Sequence, residues 1–220
     1  MANLIMADQN GSPSAASRRI LERAYGLKTP DEAKTLYQDW AASYDQHLEQ
    51  GLHYIAPAGI AQFLANALED RTALILDVGC GTGLVGGHLV GQGYSAIDGL
   101  DFSAEMLSQA RNKQVYQTLI QGDLNTELDI PDKTYDAGIS CGTFTHGHVK
   151  ADALDEILRV LKPGACFVCT IHREVWQSAG FESKFAQLMV SGVADLECMN
   201  EQPFYKNGPD DGCFCLIRRR

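Results

Sequence analysis

The chain has 220 residues, of which 45% are hydrophobic and 21% are charged, proportions typical of one globular domain with a sizeable core. Eighteen basic against 28 acidic residues give a formal charge of −10, which opposes non-specific binding to nucleic acid. No apolar run approaches the roughly 20 residues that a membrane-spanning helix requires, and the N-terminus lacks the pattern of a secretory signal. These features predict a cytoplasmic protein that binds neither nucleic acid nor membranes.

The seven cysteines are scattered through apolar segments, and their odd number favours reduced thiols over a disulfide framework. Cys166 and Cys169 form a C-x-x-C pair inside an apolar run, whereas a redox pair acts at a strand-to-helix turn. No second C-x-x-C completes a zinc site. The terminal arginines, Arg218 to Arg220, are interpreted as a solvated end.

Only helices are predicted before residue 72. Residues 1–16 are rich in small polar side chains, which predict a mobile tail. The helices that follow have apolar residues at helical spacing and are predicted over residues 17–25, 29–50 and 58–68. Tyr37, Trp40 and Tyr44 are three and four residues apart, so they share one face of the second helix.

From residue 73 onward, short apolar runs alternate with helical segments. The predicted strands cover 73–78, 96–100, 117–120, 135–141 and 165–171, and the predicted helices between them cover 84–90, 104–112 and 151–161. This alternation predicts an α/β fold, a doubly wound parallel sheet with helices on both faces. A helix over 181–190 then precedes two apolar runs, 196–199 and 212–217, which no helix separates. This last pair is therefore expected to be antiparallel.

A glycine-rich segment, Asp77-Val-Gly-Cys-Gly-Thr-Gly83, follows the first predicted strand and begins the next helix. Open α/β sheets bind their ligands at this position. A dinucleotide fingerprint requires glycine where this chain has Leu84. Asp77 would repel a pyrophosphate, but it suits a ligand that carries an ammonium and a sulfonium group. The segment therefore favours a cationic cofactor over a phosphorylated one.

Two further carboxylates follow the next two strands. Asp101 lies at the end of the second strand, where nucleoside-binding α/β units place a carboxylate that accepts both ribose hydroxyls. Phe102 and Met106 could pack against a purine, and Asp123 could accept a hydrogen bond from its exocyclic amine. Three acidic residues at three successive strand ends predict one nucleoside site.

These segments together resemble the class I S-adenosylmethionine-dependent methyltransferases over roughly residues 35–172. The motifs that carry the resemblance are Asp77 to Gly83, Asp101, Gly122-Asp123, Tyr135-Asp136 and Leu161-Lys-Pro-Gly164. Within that superfamily, segments 37–45 and 142–149 resemble the methyltransferase-like proteins related to the Williams–Beuren region product. The resemblance implies S-adenosylmethionine as cofactor, S-adenosylhomocysteine as its product, and a seven-stranded Rossmann-like sheet with the last strand antiparallel under an N-terminal helical cover.

The resemblance also implies which residues contact the cofactor. They are Tyr37, Tyr44, Asp77, Gly79, Cys80, Gly81, Thr82, Gly83, Asp101, Phe102, Ser103, Met106, Asp123, Leu124, Cys141 and Gly142. The glycine-rich segment would line the methionine part, and Phe102, Asp123 and Leu124 would frame the adenine. Tyr37 and Tyr44 would contact the carboxylate side of the cofactor, and the residues that end the fourth strand would lie near its amino group and sulfonium.

Methyl transfer from a sulfonium depends mainly on alignment and exclusion of water, because the leaving group is already activated. A general base helps only where the acceptor must lose a proton. The predicted catalytic residues are His146 and His148, and the predicted acceptor-binding residues are Phe144, His172 and Trp176, within a wall formed by residues 173–191 and the N-terminal helices. A solvated or backbone-bonded loop histidine is the alternative interpretation for each histidine. No metal is predicted, because no carboxylate lies at helical spacing beside them.

The resulting hypothesis is S-adenosylmethionine-dependent transfer of a methyl group to an oxygen, nitrogen or sulfur atom of a small molecule, by a monomer or homodimer. Three alternatives stay open: a protein methyltransferase, whose acidic surface would attract a basic substrate, an NAD-dependent oxidoreductase, and a non-catalytic cofactor-binding or regulatory protein. The predicted organisation is a tail (1–16) and one domain, with a helical cover (17–70), a cofactor-binding core (71–172) and an acceptor-side segment with the closing strands (173–220).

Overall fold

The computed structural model describes residues 14–27, 29–146 and 149–220. Its α-helices are α1 (Ala15–Tyr25), α2 (Pro30–Trp40), α3 (Ala56–Ala67), α4 (Leu84–Gly91), α5 (Ala104–Lys113), α6 (Ala153–Val160) and α7 (Phe181–Val190). Its strands are β1 (Ile75–Val78), β2 (Ile97–Asp101), β3 (Thr118–Gln121), β4 (Tyr135–Phe144), β5 (Leu161–His172), β6 (Ala194–Gln202) and β7 (Gly212–Arg219).

The seven strands form one sheet in the order β3-β2-β1-β4-β5-β7-β6. Strands β1 to β5 pair in parallel, and β7 runs antiparallel to both β5 and β6. The predicted α/β class, the seven strands and the antiparallel last strand are confirmed. The strand order reverses between β1 and β4, and doubly wound sheets bind ligands at such a reversal. Within the described ranges, no helix combines the length and apolar character that crossing a bilayer requires.

Two apolar clusters cover the two faces of the sheet. Alternate residues of a strand point to opposite faces, and on β5 the side chains of Phe167 and Cys169 join the cluster under α6 and α7. Their neighbours Cys166 and Val168 join the cluster under α3 and α4. The C-x-x-C pair is thus divided between opposite faces, and all seven cysteines are free thiols.

Proline sets the end of α6. The helix was predicted to include residue 161, but it ends at Val160, and Leu161 already pairs with Tyr135 as the first residue of β5. Lys162 precedes Pro163, and a residue before proline is disfavoured in helical backbone. The helix therefore ends early, and β5 begins four residues before its predicted start at residue 165.

The C-terminal arginines Arg218 and Arg220 form ion pairs with carboxylates of β6, and Arg220 remains exposed to solvent as expected. The guanidinium of Arg218 donates to both carboxylate oxygens of Glu197, at 3.1 and 3.0 Å. Arg220 donates in the same way to Asp195, at 2.5 and 2.7 Å. These bidentate pairs hold β7 against β6 at the edge of the sheet.

The N-terminal helices form the predicted cover, with two differences. Helix α1 begins at Ala15, two residues before its predicted start, because the Ser14 hydroxyl accepts a hydrogen bond from the amide of Ser17 at 3.1 Å. The other residues of the predicted tail, 1–13, lie outside the described ranges. Helix α2 is regular only to Trp40, and the backbone then continues through a 3₁₀ turn (Ala41–Ser43) and a π-helical turn (Gln46–Gly51).

Asp45 fixes this cover to the cofactor-binding core. Its carboxylate accepts a hydrogen bond from the hydroxyl of Thr82 in the glycine-rich segment. The same carboxylate forms an ion pair with Lys113 of α5, at 2.6 Å. Because the two bonds reach two separate elements, they set the position of the cover above the carboxyl ends of β1 and β2.

We expect the substitution Phe144→Ala to destabilise the fold by about 3–5 kcal/mol, the usual cost of removing a buried phenyl ring. Phe144 has no exposed surface, and its ring packs edge-to-face against Phe167 and Phe181 at centroid distances of 6.5 and 5.2 Å. Urea-induced unfolding measures the change. The control Val190→Ala removes a side chain that is 91% exposed and should change stability by about 0.5 kcal/mol or less.

Candidate active site

A cleft of about 760 Å³, partly open to solvent, lies at the carboxyl ends of β1, β2, β3 and β4. Its lining residues are Tyr37, Tyr44, Gly79, Gly81, Leu100, Asp101, Phe102, Met106, Gly122, Asp123, Leu124, Asn125, Cys141, Gly142, Thr143 and Val149. Most residues predicted to bind the cofactor are brought together here, including Asp101, Asp123 and the two tyrosines of the cover.

Two glycines shape the floor of this cleft for different reasons. Gly79 has a φ of +69°, and a Cβ atom there would lie 2.1 Å from the Thr143 hydroxyl, so only glycine fits between β1 and β4. Gly81 has a φ of +53°, and a Cβ atom there would meet no atom within 4 Å. The backbone at Gly81 therefore leaves room for a ligand.

Asp101 lies on the wall of the cleft with both carboxylate oxygens partly engaged. One oxygen accepts a hydrogen bond from the Gly81 amide and the other from the Ser103 amide, each at 2.9 Å. The Phe102 amide is a third backbone donor to this carboxylate, and a carboxylate has about four acceptor positions, so one stays available to a hydroxyl group of a ligand. Burial raises the pKa of Asp101 to about 6, and the backbone donors oppose this rise.

Asp77 does not line the cleft, which differs from its predicted contact with the cofactor. Its carboxylate is fully buried, and Oδ2 accepts a hydrogen bond of 2.6 Å from the hydroxyl of Tyr116. Oδ1 has no partner among the described residues. Burial raises the pKa of Asp77 to about 7, the Tyr116 hydrogen bond opposes this rise, and the charge of Asp101 adds to it.

Four other predicted contact residues support the cleft from behind. The buried Cys80 thiol lies next to Gly99 of β2, where an added Cβ atom would come within 2.9 Å of its sulfur. Thr82 faces the cover through its bond to Asp45. Gly83 begins α4 with a φ of +89°, and the Ser103 hydroxyl caps α5 by accepting from an amide of its first turn at 3.2 Å. These residues position the backbone and do not line the cleft.

The aromatic residues of the cover divide into two groups. Tyr37 and Tyr44 line the cleft, and the Tyr37 ring meets Phe102 edge-to-face at 6.1 Å. Trp40 is 2% exposed and packs on Tyr44, with ring centroids 4.7 Å apart. Trp40 is therefore part of the core of the cover, and the tyrosines beside it close the cleft from above.

A second cavity of about 430 Å³ adjoins the cleft, and we name it the acceptor cavity. Its lining residues are Leu21, Ala24, Tyr25, Tyr37, Trp40, Tyr44, Leu48, Tyr54, Gly142, Thr145, Phe204 and Tyr205. Tyr37, Tyr44 and Gly142 line both spaces. One molecule in the cleft and another in the acceptor cavity would therefore meet at these three residues.

An irregularity in β4 forms this junction. The pairing register with β5 shifts between Ser140 and Phe144, and Gly142 has a φ of +75°. The Gly142 amide donates to the hydroxyl of Thr170 at 3.0 Å, which holds the bulged backbone in place. Bulges commonly occur beside active sites, where they redirect side chains. Here the bulge turns Cys141 toward the cleft.

Behind the ring of Tyr25 lies a cluster of two histidines and two carboxylates. His146 Nε2 lies 3.0 Å from Glu174 Oε2, so it is the nitrogen that donates, because a carboxylate only accepts. Its buried Nδ1 is then an acceptor with no partner among the described residues. His172 accepts from the Glu174 amide through Nδ1 at 3.3 Å, and its Nε2 lies 3.6 Å from Asp211. Burial lowers the pKa of His172, which favours the neutral ring.

The ligand atoms of His146, His172 and Glu174 lie within 4.8 Å of one another. This proximity meets a first requirement for a metal site that the sequence did not predict. His172 opposes metal binding, since accepting a hydrogen bond at Nδ1 leaves the proton on Nε2. The absence of a metal therefore stays a prediction.

Two predicted acceptor-binding residues lie in the core. Phe144 has no exposed surface, because the bulge before it turns its ring toward the cluster under α6 and α7. Trp176 packs on Phe185 at a centroid distance of 5.5 Å and belongs to the edge of the same cluster. His172 is 3% exposed and stacks on Phe204 at 5.7 Å, behind the acceptor cavity. The predicted catalytic His148 lies outside the described residues.

Sequence analysis missed the wall that the β6–β7 connection supplies. Phe204 and Tyr205 of this connection line the acceptor cavity, where residues 173–191 were expected. An isolated bridge between Tyr54 and Tyr205 joins the connection to the cover. The sequence signal was the pair of aromatic residues after Pro203, in an otherwise polar segment. Tyr116, the partner of Asp77, gave no signal because its role depends on contact with the glycine-rich segment.

We expect the free energy of unfolding of the ligand-free parent protein to fall as pH rises from about 5 to about 8. The variant Asp77→Asn should show a smaller fall over the same range. With a pKa of about 7, Asp77 binds a proton in the folded state that it has lost in the unfolded chain, so ionisation at higher pH disfavours folding. Urea unfolding at several pH values measures the difference. The control Ile75→Val weakens the same strand without removing a titrating group, and its curve should parallel the parent curve. If the free energy of unfolding of Asp77→Asn changed with pH in parallel with that of the parent protein, the prediction would be contradicted.

Comparison with known proteins agrees with this arrangement. Residues 75–164 match a family described as a methyltransferase domain. Methyltransferase-like protein 27 of Homo sapiens is 39% identical over 173 residues, which cover 76% of this chain and 69% of that protein. The 18S rRNA (guanine-N(7))-methyltransferase of Bos taurus is 38% identical over 72 residues, which cover 33% of this chain and 25% of that protein.

Among solved structures, a TehB-like SAM-dependent methyltransferase from Corynebacterium glutamicum shares the fold with a TM-score of 0.59 at 22% identity, covering 84% of this chain and 97% of that one. The match to methyltransferase-like protein 27 extends over most of both chains and includes the glycine-rich segment and the strand-end carboxylates. On this evidence, the chain belongs to the class I S-adenosylmethionine-dependent methyltransferase family.

Proposed function

We propose that this methyltransferase binds S-adenosylmethionine in the cleft and transfers its methyl group to an oxygen, nitrogen or sulfur atom of a small molecule in the acceptor cavity. The observation that carries the proposal is the junction of the two spaces at Tyr37, Tyr44 and Gly142. Such a junction lets two molecules meet while the cover excludes water, and alignment with dehydration is the main requirement of the reaction.

The residues of the cleft fit this cofactor. The remaining acceptor position of Asp101 suits a ribose hydroxyl, and the open space at Gly81 leaves room for the methionine part. The unpartnered Oδ1 of Asp77 lies in the fully buried region behind the cleft, where a cation bound in the cleft would favour the ionised carboxylate. Phe102 and Leu124 supply apolar surface for the adenine, and Asp123 can accept from its amine.

The bound cofactor supplies an electrophilic methyl group on a positively charged sulfur. Transfer would join the acceptor atom to the methyl carbon and leave the electron pair of the broken carbon–sulfur bond on sulfur. Tyr44 and Gly142, at the junction, would hold the two partners in line. Tyr44 keeps its proton because burial raises its pKa well above the usual value, so the junction carries no additional charge.

His146 is the proposed general base for acceptors that must lose a proton. Glu174 accepts the hydrogen bond of its Nε2–H, which leaves Nδ1 as the proton-accepting atom. His146 adjoins the acceptor cavity through Thr145 in the chain and through Tyr25, whose ring lies 5.1 Å away. His148 stays a prediction from the sequence.

The formal charge of −10 supports a small acceptor over RNA, because a negative protein repels a phosphate polymer. One relative is an rRNA methyltransferase by name, but this chain covers only 25% of its length. Protein methylation and non-catalytic cofactor binding are the remaining alternatives. A cytoplasmic location and a monomeric or homodimeric state stay predictions.

Labelling distinguishes these substrate classes. An extract of the source organism is incubated with the protein and S-adenosylmethionine carrying a tritiated methyl group, and is then separated into RNA, protein and small-molecule fractions. We expect the label in the small-molecule fraction. Label mainly in RNA or protein would contradict the proposal, and absence of label from every fraction would favour a non-catalytic protein.

We expect Asp101→Ala to weaken binding of both S-adenosylmethionine and S-adenosylhomocysteine by about 100-fold or more, because a ribose hydroxyl and the Gly81 amide lose a charged acceptor together. Calorimetric titration measures both affinities, and NAD is titrated in parallel as a ligand that should not bind. Asp98→Ala is the matched control, since it removes a carboxylate of the same strand that bonds to Thr118 and Tyr135. Unchanged affinity in Asp101→Ala would remove this residue from the site.

We expect His146→Gln to lower the rate of methylation of the labelled small-molecule fraction by about 10²–10⁴-fold, the usual contribution of a general base. Glu174→Gln should cause a smaller loss, because the base remains but loses its orienting partner. Cofactor affinity should stay unchanged in both. His88→Gln alters an exposed histidine of α4 and is the control. If His146→Gln methylated the fraction at the same rate as the unsubstituted protein, His146 would have a structural role only.

A further inference from the structure

We infer that the acceptor cavity selects uncharged, flat aromatic molecules that carry a hydroxyl or thiol group. The inference rests on the proposed function, since the acceptor must reach a methyl group bound in the adjoining cleft. It goes further by naming the chemical class of the acceptor. The observations that carry it are the composition of the cavity wall, the arrangement of its rings, and the charge on either side.

The described lining of the acceptor cavity contains no charged side chain. Helix α1 contributes the apolar side chains of Leu21 and Ala24, and the rest of the wall is mostly aromatic. Tyr54 and Phe204 lie nearly parallel, with an interplanar angle of 23° and centroids 6.4 Å apart, and Tyr205 lies 5.2 Å from Tyr54. Rings of this kind bind planar molecules through stacked and edge-to-face contacts.

The wall is also electrically neutral at physiological pH. Burial raises the pKa of Tyr54 and Tyr205 well above the usual tyrosine value, so neither hydroxyl ionises. A charged acceptor would lose its hydration on entry and find no opposite charge on the wall, which disfavours binding. An uncharged aromatic acceptor loses little hydration free energy when it leaves water.

The neighbouring charges oppose both kinds of ion. An anion would enter a protein of net charge −10, with Glu174 and Asp211 close behind Tyr25. A cation would gain from the aromatic faces, but it would approach the positive sulfonium at the Gly142 junction. The phenolic hydroxyls of Tyr25 and Tyr205 are hydrogen-bonded to each other, and this pair retains acceptor positions for a hydroxyl or thiol of the acceptor, which is the kind of group whose proton His146 would remove.

Three probes that share the naphthalene ring system test the inference: 2-naphthol, 2-naphthyl phosphate and 2-naphthylmethylamine, which is a cation at neutral pH. Each is titrated calorimetrically into the protein loaded with an unreactive analogue of S-adenosylmethionine in which a protonated amine replaces the sulfonium, so that the positive charge of the cofactor is present. We expect 2-naphthol to bind at one site. The phosphate and the amine should bind about tenfold more weakly or not at all.

Variants of α1 locate the binding site. Ala24→Phe and Leu21→Trp add bulk at two positions that line the acceptor cavity but not the cleft, so each should weaken 2-naphthol binding by about tenfold or more while S-adenosylhomocysteine binds as before. Two positions are used in case one substitution prevents folding. Glu22→Phe adds the same ring to the exposed side of the helix and is the matched control.

The outcomes separate this inference from the proposed function. Failure of S-adenosylhomocysteine to bind the parent protein would overturn the proposed function itself. If the cofactor product binds, the inference is overturned by equal or tighter binding of the phosphate or the amine, by absence of 2-naphthol binding, or by 2-naphthol binding that both folded α1 variants retain.

Discussion

The buried carboxylate of Asp101 holds together the parts of the protein that form the cleft. It lies at the end of β2, and its two oxygens accept the amides of Gly81 after β1 and of Ser103 at the start of α5. A buried carboxylate is costly unless such donors surround it. The glycine-rich segment and the start of α5 are therefore fixed to the residue that is proposed to bind ribose, and the shape of the cleft depends on the same bonds as its chemistry.

The N-terminal cover connects this core to the acceptor side. Asp45 fixes the cover to Thr82 and Lys113, and Tyr37 and Tyr44 then close the cleft from above. The same tyrosines form one wall of the acceptor cavity. Under the proposed function, one structural element would couple cofactor binding to acceptor binding, and a neutral aromatic wall beside a cationic reaction centre would exclude both water and ions.

Residues whose positions follow from local sequence lie where they were expected. Gly79, Gly81, Asp101 and Asp123 line the cleft as expected, because the carboxyl ends of parallel strands meet at one edge of a sheet. Residues whose roles depend on the direction of a side chain were predicted less well. Asp77 belongs to the same motif, but it faces Tyr116 behind the cleft. Phe144 follows the β4 bulge and turns into the core, which no spacing rule indicated.

The sequence by itself determined the order of strands and helices, the antiparallel last strand and the family, because periodicity, proline and glycine act over a few residues. Only the tertiary structure decided which residues form the acceptor cavity. Its wall joins α1 and α2 to Phe204 and Tyr205, which are separated by most of the chain. The pairing of His146 with Glu174 likewise depends on contact between the segments that follow β4 and β5. Contacts at such separation leave no local pattern, so the acceptor site could be recognised only after folding had brought these segments together.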